Sequence, residues 1–214
     1  DKTPVRAQTI SQQQPDHSLR RVSLTHSVIS ASIYMGATAP YGETADAVFA
    51  GGCFWCMESA YQEREGVLDV VSGFTGGTHQ NPTYSCNHEG HYEVVKLTYD
   101  SSILSYQDLL DQFWVNIDPF DPRGQFCDKG PSYRAAIFVA NAEQETLATA
   151  SLESVIMRFP DETVVTEILP SSTFWPVEEY HQDYYLKNPV RYKYYRWNCG
   201  RDQRLESVWG KGAH

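Results

Sequence analysis

The 214-residue chain has no apolar run approaching the ~18 residues that a membrane helix needs, so its sequence offers no such span. It is short of basic residues: 17 Lys and Arg stand against 27 Asp and Glu, giving a formal net charge of -10 and a pI near 5.1. An acidic surface repels a phosphate backbone, which argues against sequence-independent nucleic-acid binding. One local exception, Arg191-Tyr192-Lys193-Tyr194-Tyr195-Arg196, interleaves cations with aromatics that could stack on bases. The run is short and reads rather as a tail packed on the domain. Cysteines are few and odd in number, five, in a chain too long and core-rich to need a disulfide scaffold. Only Cys53 and Cys56 stand at C-x-x-C spacing, and Cys86, Cys127 and Cys199 are dispersed singly. The second ligand pair that structural zinc usually takes is therefore missing. No internal repeat is visible.

What is present suits one domain with an appendage: 41% hydrophobic and 13% aromatic residues are enough for a core. Tyrosine is abundant at 14, which points to an aromatic, hydroxyl-lined pocket or surface. Residues 1–44 are rich in Ser, Gln and Thr and lack periodicity, so they read as a processed leader or disordered N-terminal extension. Location stays open between the cytoplasm and, if the leader is a targeting segment, export or an organelle. Beyond it, strands are expected over 45–50, 67–72, 91–99, 134–140 and 164–169. Helices are expected over 57–63, 105–114 (capped by Ser105, with Asp108 in its first turn), 142–158 and 177–186. Mixed elements of this kind suggest an α+β protein built as a two-layer α/β sandwich. The division expected is a catalytic domain over 45–190 and a C-terminal arm over 191–214 packed on it.

The densest chemistry lies in Gly51-Gly52-Cys53-Phe54-Trp55-Cys56, between a strand and a helix. Glycines make the tight turn, and Cys53 falls at the first helical turn, where free N–H groups and the positive end of the dipole favour a thiolate. Cys56 lies three residues on, on the same face. Buried structural cysteine, a zinc site drawing on His88 and His91, and a thiol–disulfide oxidoreductase motif are competing readings. Phe54 and Trp55 are bulkier than the residues usual between redox cysteines and suggest an apolar wall for a substrate.

Gly-Cys-Phe-Trp is also a signature that resembles the peptide methionine sulfoxide reductase A family, here in a Gly-Cys-Phe-Trp-Cys variant. Further segments follow in that family's order: Gly73-Phe74-Thr75-Gly76-Gly77, Asn81-Pro82-Thr83-Tyr84, Gly90-His91-Tyr92-Glu93, Asp128-Lys129-Gly130-Pro131-Ser132-Tyr133-Arg134, Phe174 to Gln182, and Tyr185 to Pro189. The resemblance implies a ferredoxin-like core with a long, irregular C-terminal arm. It implies thiol-dependent reduction of methionine S-sulfoxide, free or in proteins, through a cysteine sulfenic acid and an intramolecular disulfide, with thioredoxin or a similar thiol as reductant. No metal or organic cofactor is implied, and a monomer is expected.

That chemistry needs a nucleophile, an acid and an apolar grip. Cys53 is the nucleophile implied. Glu93 is the acid, since burial raises a carboxyl pKa and keeps a proton to donate. Tyr84 and Tyr133 are implied as hydrogen-bond donors to the sulfoxide oxygen, Asp128 as an orienting group, and Phe54 and Trp55 as the methyl-binding wall. For resolving the sulfenic acid, Cys56 is nearest in sequence and Cys199 lies on the arm where the family often keeps recycling cysteines. Cys127, beside Asp128, is a third candidate, and Cys86 the least favoured. Cys56 replaces the family's usual glycine, and the tail holds one cysteine among Tyr and Arg, so the resolving residue stays open.

Overall fold

The computed structural model describes residues 42–212, so residues 1–41 of the expected leader lie outside the described residues. In chain order the elements are β1 (Thr44–Gly51), α1 (Phe54–Tyr61), β2 (Val67–Thr75), β3 (Tyr92–Asp100), α2 (Tyr106–Val115), β4 (Gly124–Gln125), β5 (Asp128–Lys129), β6 (Ala135–Val139), α3 (Ala142–Arg158), β7 (Glu167–Pro170), β8 (Trp175–Pro176), α4 (Tyr184–Lys187), α5 (Pro189–Asn198) and α6 (Arg201–Trp209). The main sheet runs β7-β6-β1-β3-β2-β8. Its four central strands are antiparallel to one another, with β3 between β1 and β2 and β1 between β3 and β6. Two interleaved split β-α-β units of this kind make the ferredoxin-like core. The outer strand β7 adds in parallel and β8 in antiparallel.

Period-two alternation sorts the strand residues onto two faces. Ala47 and Phe49 of β1, Val95 and Leu97 of β3 and Ile137 of β6 join the large core under the helices. Ala50, Tyr92, Val94, Ala136 and Phe138 join a smaller cluster on the opposite face. Phe49 lies at the centre of the large core, with rings of Phe113 and Tyr61 centred 5.2 and 5.8 Å away. Burying such a side chain fully contributes about 1.5–3 kcal/mol. Glu93 shares the parity of Val95 and Leu97, so the strand itself aims a carboxyl toward α1.

The capping box expected at Ser105 is present, with Ser105 and Asp108 exchanging side-chain to backbone bonds. Three expectations need correction. The strand expected over 164–169 is confined to Glu167–Pro170, and Val165 instead donates its N–H to the Pro119 carbonyl. The helix expected over 177–186 is broken: a short 3-10 turn at Glu179–His181 is followed by α4, with Asp183 between them in the left-handed region at φ 54°. The C-terminal arm is two helices rather than irregular chain, α5 and α6 meeting at Gly200 with φ 65°. A buried arginine anchors the arm. Arg201, 1% exposed, donates to the Gly51 and Asn116 carbonyls at 3.3 and 2.7 Å, and its guanidinium lies 4.4 Å from the Phe126 ring centre. Among the described residues no helix is long and apolar enough to cross a membrane.

Candidate active site

The site begins at the end of β1. Gly52 has φ +82°, and a Cβ there would stand 2.6 Å from the Cβ of Gln125. Gln125 is fully buried and clasps the Asp118 backbone with two 2.8 Å bonds, so the turn can approach it only as glycine. Cys53 follows as the N-cap of α1, its carbonyl accepting from the N–H groups of Cys56 and Met57 at 3.1 and 3.3 Å. No side chain of the chain segment itself caps this helix. The free N–H of Phe54 is taken by the Glu93 Oε2 at 3.3 Å, which ties the carboxyl to the thiol's own turn.

Glu93 is 2% exposed. Burial pushes its carboxyl up to about 8, with the Asp128 charge adding, while the Phe54 N–H and a hydrogen bond to the Tyr133 side chain pull the other way. It therefore carries a proton at neutral pH. The Tyr133 hydroxyl also acts on Tyr84, so two phenols and a carboxylic acid face one another as donors. Burial, with the Glu93 and Cys53 charges behind it, pushes the Tyr84 hydroxyl up to about 12 and raises Tyr133 also. Both stay neutral donors. Asp128 lies half-buried, its carboxyl raised by burial against the bond that Tyr195 donates to it.

The two thiols are 5% and 1% exposed and act on each other's titration. The Cys56 thiol is held low, first by the bond from Cys53 and then by the Arg201 and Arg196 charges working against burial. Burial, and then Cys56 itself, pushes the Cys53 thiol up. The pair thus carries one negative charge over two sulfurs. The α1 N-terminus favours that charge on Cys53, the arginines favour it on Cys56, and a single proton between adjacent sulfurs serves both positions.

Aromatic rings wall the pair. Phe54 is buried against Phe74, Tyr84 and His181, while Trp55 is half-buried and stacks on Tyr184 with centroids 3.8 Å apart and planes 9° from parallel. Trp55 also donates its Nε1–H to His181 Nδ1 at 3.2 Å. Tyr195 meets Trp55 edge-on and is hydrogen-bonded to both Cys53 and Asp128. Tyr192 closes the far side, bonded to Ser59 at 2.5 Å.

The sequence brought Cys53, Cys56, Glu93, Tyr84, Tyr133, Asp128, Phe54 and Trp55 together, as far as naming goes. Cys199 is elsewhere: a disulfide joins it to Cys127, with Cα atoms 4.9 Å apart, at the edge of the site where Cys127 is exposed. Cys86 is exposed and free on the turn at Thr83. The zinc reading required His88 and His91 beside Cys53 and Cys56. Instead His88 stacks on Phe74, and His91 is bound through Nδ1 to the Gly77 N–H and through Nε2 to the His79 carbonyl. Sequence reasoning gave no role to His181, Tyr184, Tyr192, Tyr195 or Arg201. The basic, tyrosine-rich run 191–196 was the visible signal for Tyr192 and Tyr195, which are three apart and share a helix face, and His181 lay within the segment Phe174 to Gln182.

The sequence profile described as peptide methionine sulfoxide reductase matches residues 45–213. Peptide methionine sulfoxide reductase MsrA 2 of Caulobacter vibrioides is 50% identical over 187 residues, covering 85% of this chain and 95% of that protein. Peptide methionine sulfoxide reductase MsrA of Bacillus subtilis is 47% identical over 171 residues, covering 77% and 95%. Among solved structures, methionine sulfoxide reductase A of Corynebacterium diphtheriae superposes with a TM-score of 0.65 at 29% identity, covering 72% of this chain and 78% of that one. The reduced form of Mxr1 from Saccharomyces cerevisiae gives 0.64 at 26% identity, covering 69% and 87%.

Proposed function

The chain belongs to the peptide methionine sulfoxide reductase family, and on that premise we propose that Cys53 and Glu93 carry out its reduction of methionine S-sulfoxide to methionine. The observation that supports these roles is the pairing of an uncharged, buried carboxylic acid with a thiol at one helix N-terminus. The Cys53 proton passes to Cys56, and the resulting Cys53 thiolate attacks the sulfoxide sulfur. Glu93 protonates the sulfoxide oxygen, with Tyr133 and Tyr84 donating hydrogen bonds to it as charge develops. The S–O oxygen is transferred to Cys53 as a sulfenic acid and methionine leaves. Trp55, and Phe54 behind it, hold the methylthio end.

Cys56, buried in one cluster with Cys53, then attacks the sulfenic sulfur, releasing water and forming a Cys53–Cys56 disulfide. This inner pair is buried, so a protein reductant meets the partly exposed Cys127–Cys199 pair first. Reduced Cys199 attacks Cys56, releasing the Cys53 thiolate; Cys127 then closes onto Cys199 and releases Cys56. Two electrons have moved inward, and the outer pair is left oxidised. The distribution in the structure, Cys53 and Cys56 free and Cys127 joined to Cys199, matches the end of that exchange. A protein dithiol of the thioredoxin kind restores the outer pair and becomes a disulfide itself. Within this reading residues 45–190 are the catalytic domain and 191–214 the arm that carries Tyr195 and Cys199.

The test is turnover of separated S- and R-methionine sulfoxide peptides with thioredoxin and its reductase. Reduction of the S-epimer alone, abolished in Cys53→Ser, is the expected result. Reduction of neither epimer by the wild type, or full activity in Cys53→Ser, would refute the assignment.

A further inference from the structure

One buried acid has no part in the chemistry above. Glu58 lies on α1, five residues after the nucleophile, and is fully buried. Its Oε1 accepts the Asp183 N–H at 2.9 Å, and the Tyr184 N–H also favours the charged carboxyl. Its Oε2 has no hydrogen-bond partner among the described residues. A carboxyl is thus enclosed in the fold facing two consecutive backbone donors, the first of them hydrogen-bonded, from a segment more than a hundred residues away in sequence.

Those donors belong to the place where the expected helix over 177–186 is broken. Asp183 sits at φ 54°, a conformation that costs a non-glycine residue of order 1 kcal/mol and persists only when its surroundings hold it. The holders are on α1 and at its C-cap: Glu58 takes the Asp183 N–H, and Gln62 Nε2 donates to Asp183 Oδ1 at 2.6 Å. The consequence falls on the next two residues. Tyr184 is delivered flat against Trp55 at 3.8 Å, and Tyr185 meets Tyr192, the ring beside Cys56, at 5.9 Å. A helix continued through Asp183 would carry both rings elsewhere.

We infer that Glu58 is a positioning residue for substrate binding: it pins the Asp183 turn so that Tyr184 backs Trp55 and fixes that ring as the wall for the methylthio group. The inference rests on the assignment of Trp55 to the substrate pocket made above. Glu58 touches neither substrate nor sulfur, so its effect is on KM and scarcely on the chemical step. The interaction is a hydrogen bond to an acceptor oxygen. A glutamine provides such an oxygen, whereas an alanine does not.

The test uses the full chain with dithiothreitol as reductant, so that the outer disulfide and protein partners do not enter. Wild-type turnover of an S-sulfoxide peptide comes first; no turnover there refutes the functional reading itself and not merely this inference. With the wild type active, Glu58→Ala is expected to raise KM about tenfold with kcat within about threefold. Glu58→Gln is expected within about twofold of the wild type in both. Tyr184→Ala should raise KM similarly, and Glu58→Ala combined with Tyr184→Ala should raise it no further, since both remove one support. Asp183→Gly, which adopts φ 54° without strain, should restore part of the loss when added to Glu58→Ala. A wild-type KM in Glu58→Ala, or a double variant in which the two losses multiply, overturns the inference. If Glu58→Ala does not fold, Tyr184→Ala and Glu58→Gln decide: an unchanged KM in the first, or an alanine-like rise in the second, overturns it equally.

Discussion

The molecule holds two cysteine pairs whose surroundings differ in nearly every respect. Cys53 and Cys56 are three residues apart, free, buried, and packed among Phe54, Trp55, Tyr192 and Tyr195 beside an uncharged Glu93. Cys127 and Cys199 are 72 residues apart, joined, and reach the surface where a short hairpin meets the end of α5. The inner environment suits chemistry on a small apolar group and excludes a protein-sized reductant. The outer one suits exchange with such a reductant. Tyr195 connects them: it lies one turn before Cys199 on α5, and its hydroxyl is bonded to Asp128, the neighbour of Cys127, and to Cys53.

The comparison breaks most completely at Glu93. Glu93→Gln keeps an acceptor for the Phe54 N–H and removes the acid. Reduction of S-sulfoxide is expected to fall by about 10²–10⁴, the usual contribution of a positioned acid, in single-turnover assays. Wild-type kcat/KM should decline as pH rises through about 8, where Glu93 loses its proton. The same raised carboxyl sets a stability trend. The native state retains a proton that the unfolded chain releases above its ordinary value near 4.3, so stability is lost as pH rises through the native value of about 8. Glu93→Gln has no such loss, and its thermal midpoint should equal or exceed the wild type's above pH 8.

Cys56→Ser sharpens the distinction within the inner pair. It should still form one methionine per chain and leave Cys53 as a sulfenic acid, detected by dimedone labelling, while turnover with thioredoxin collapses. Iodoacetamide labelling of Cys53 should then proceed at lower pH, because the neighbour that pushes its thiol up is gone. The smallest expected effect is at the link between the two regions. Tyr195→Phe removes one hydroxyl bonded to Asp128 and Cys53, a change of about 1 kcal/mol, so thioredoxin-driven kcat should fall roughly threefold to tenfold.

Much of this arrangement was legible from the chain. The glycine turn, the thiol at a helix start and Glu93 in an alternating strand follow from local pattern. The motif order then carried the fold and the activity that the family comparisons bear out. The arm was not legible. Pro189–Asn198 carries charged and tyrosine residues at every position from 191 to 196, and its inward face is recognised only once Tyr192 and Tyr195 are seen against the thiols. The break at Asp183 was hidden for the same reason: a long-range bond from Glu58 holds it, and no local signal marks it. Pairing of Cys127 with Cys199 depends on the same arm, which only tertiary packing brings to the Asp128 hairpin.

In the proposed cycle electrons pass from the outer pair to the inner one. The direct measurement is the number of methionines formed per chain when fully reduced protein, freed of reductant, meets excess S-sulfoxide peptide. Two equivalents from the wild type and one from the Cys127→Ser/Cys199→Ser double variant are predicted, since each dithiol supplies one reduction through Cys53. One equivalent from both proteins would contradict the exchange and leave the Cys127–Cys199 disulfide outside the catalytic cycle.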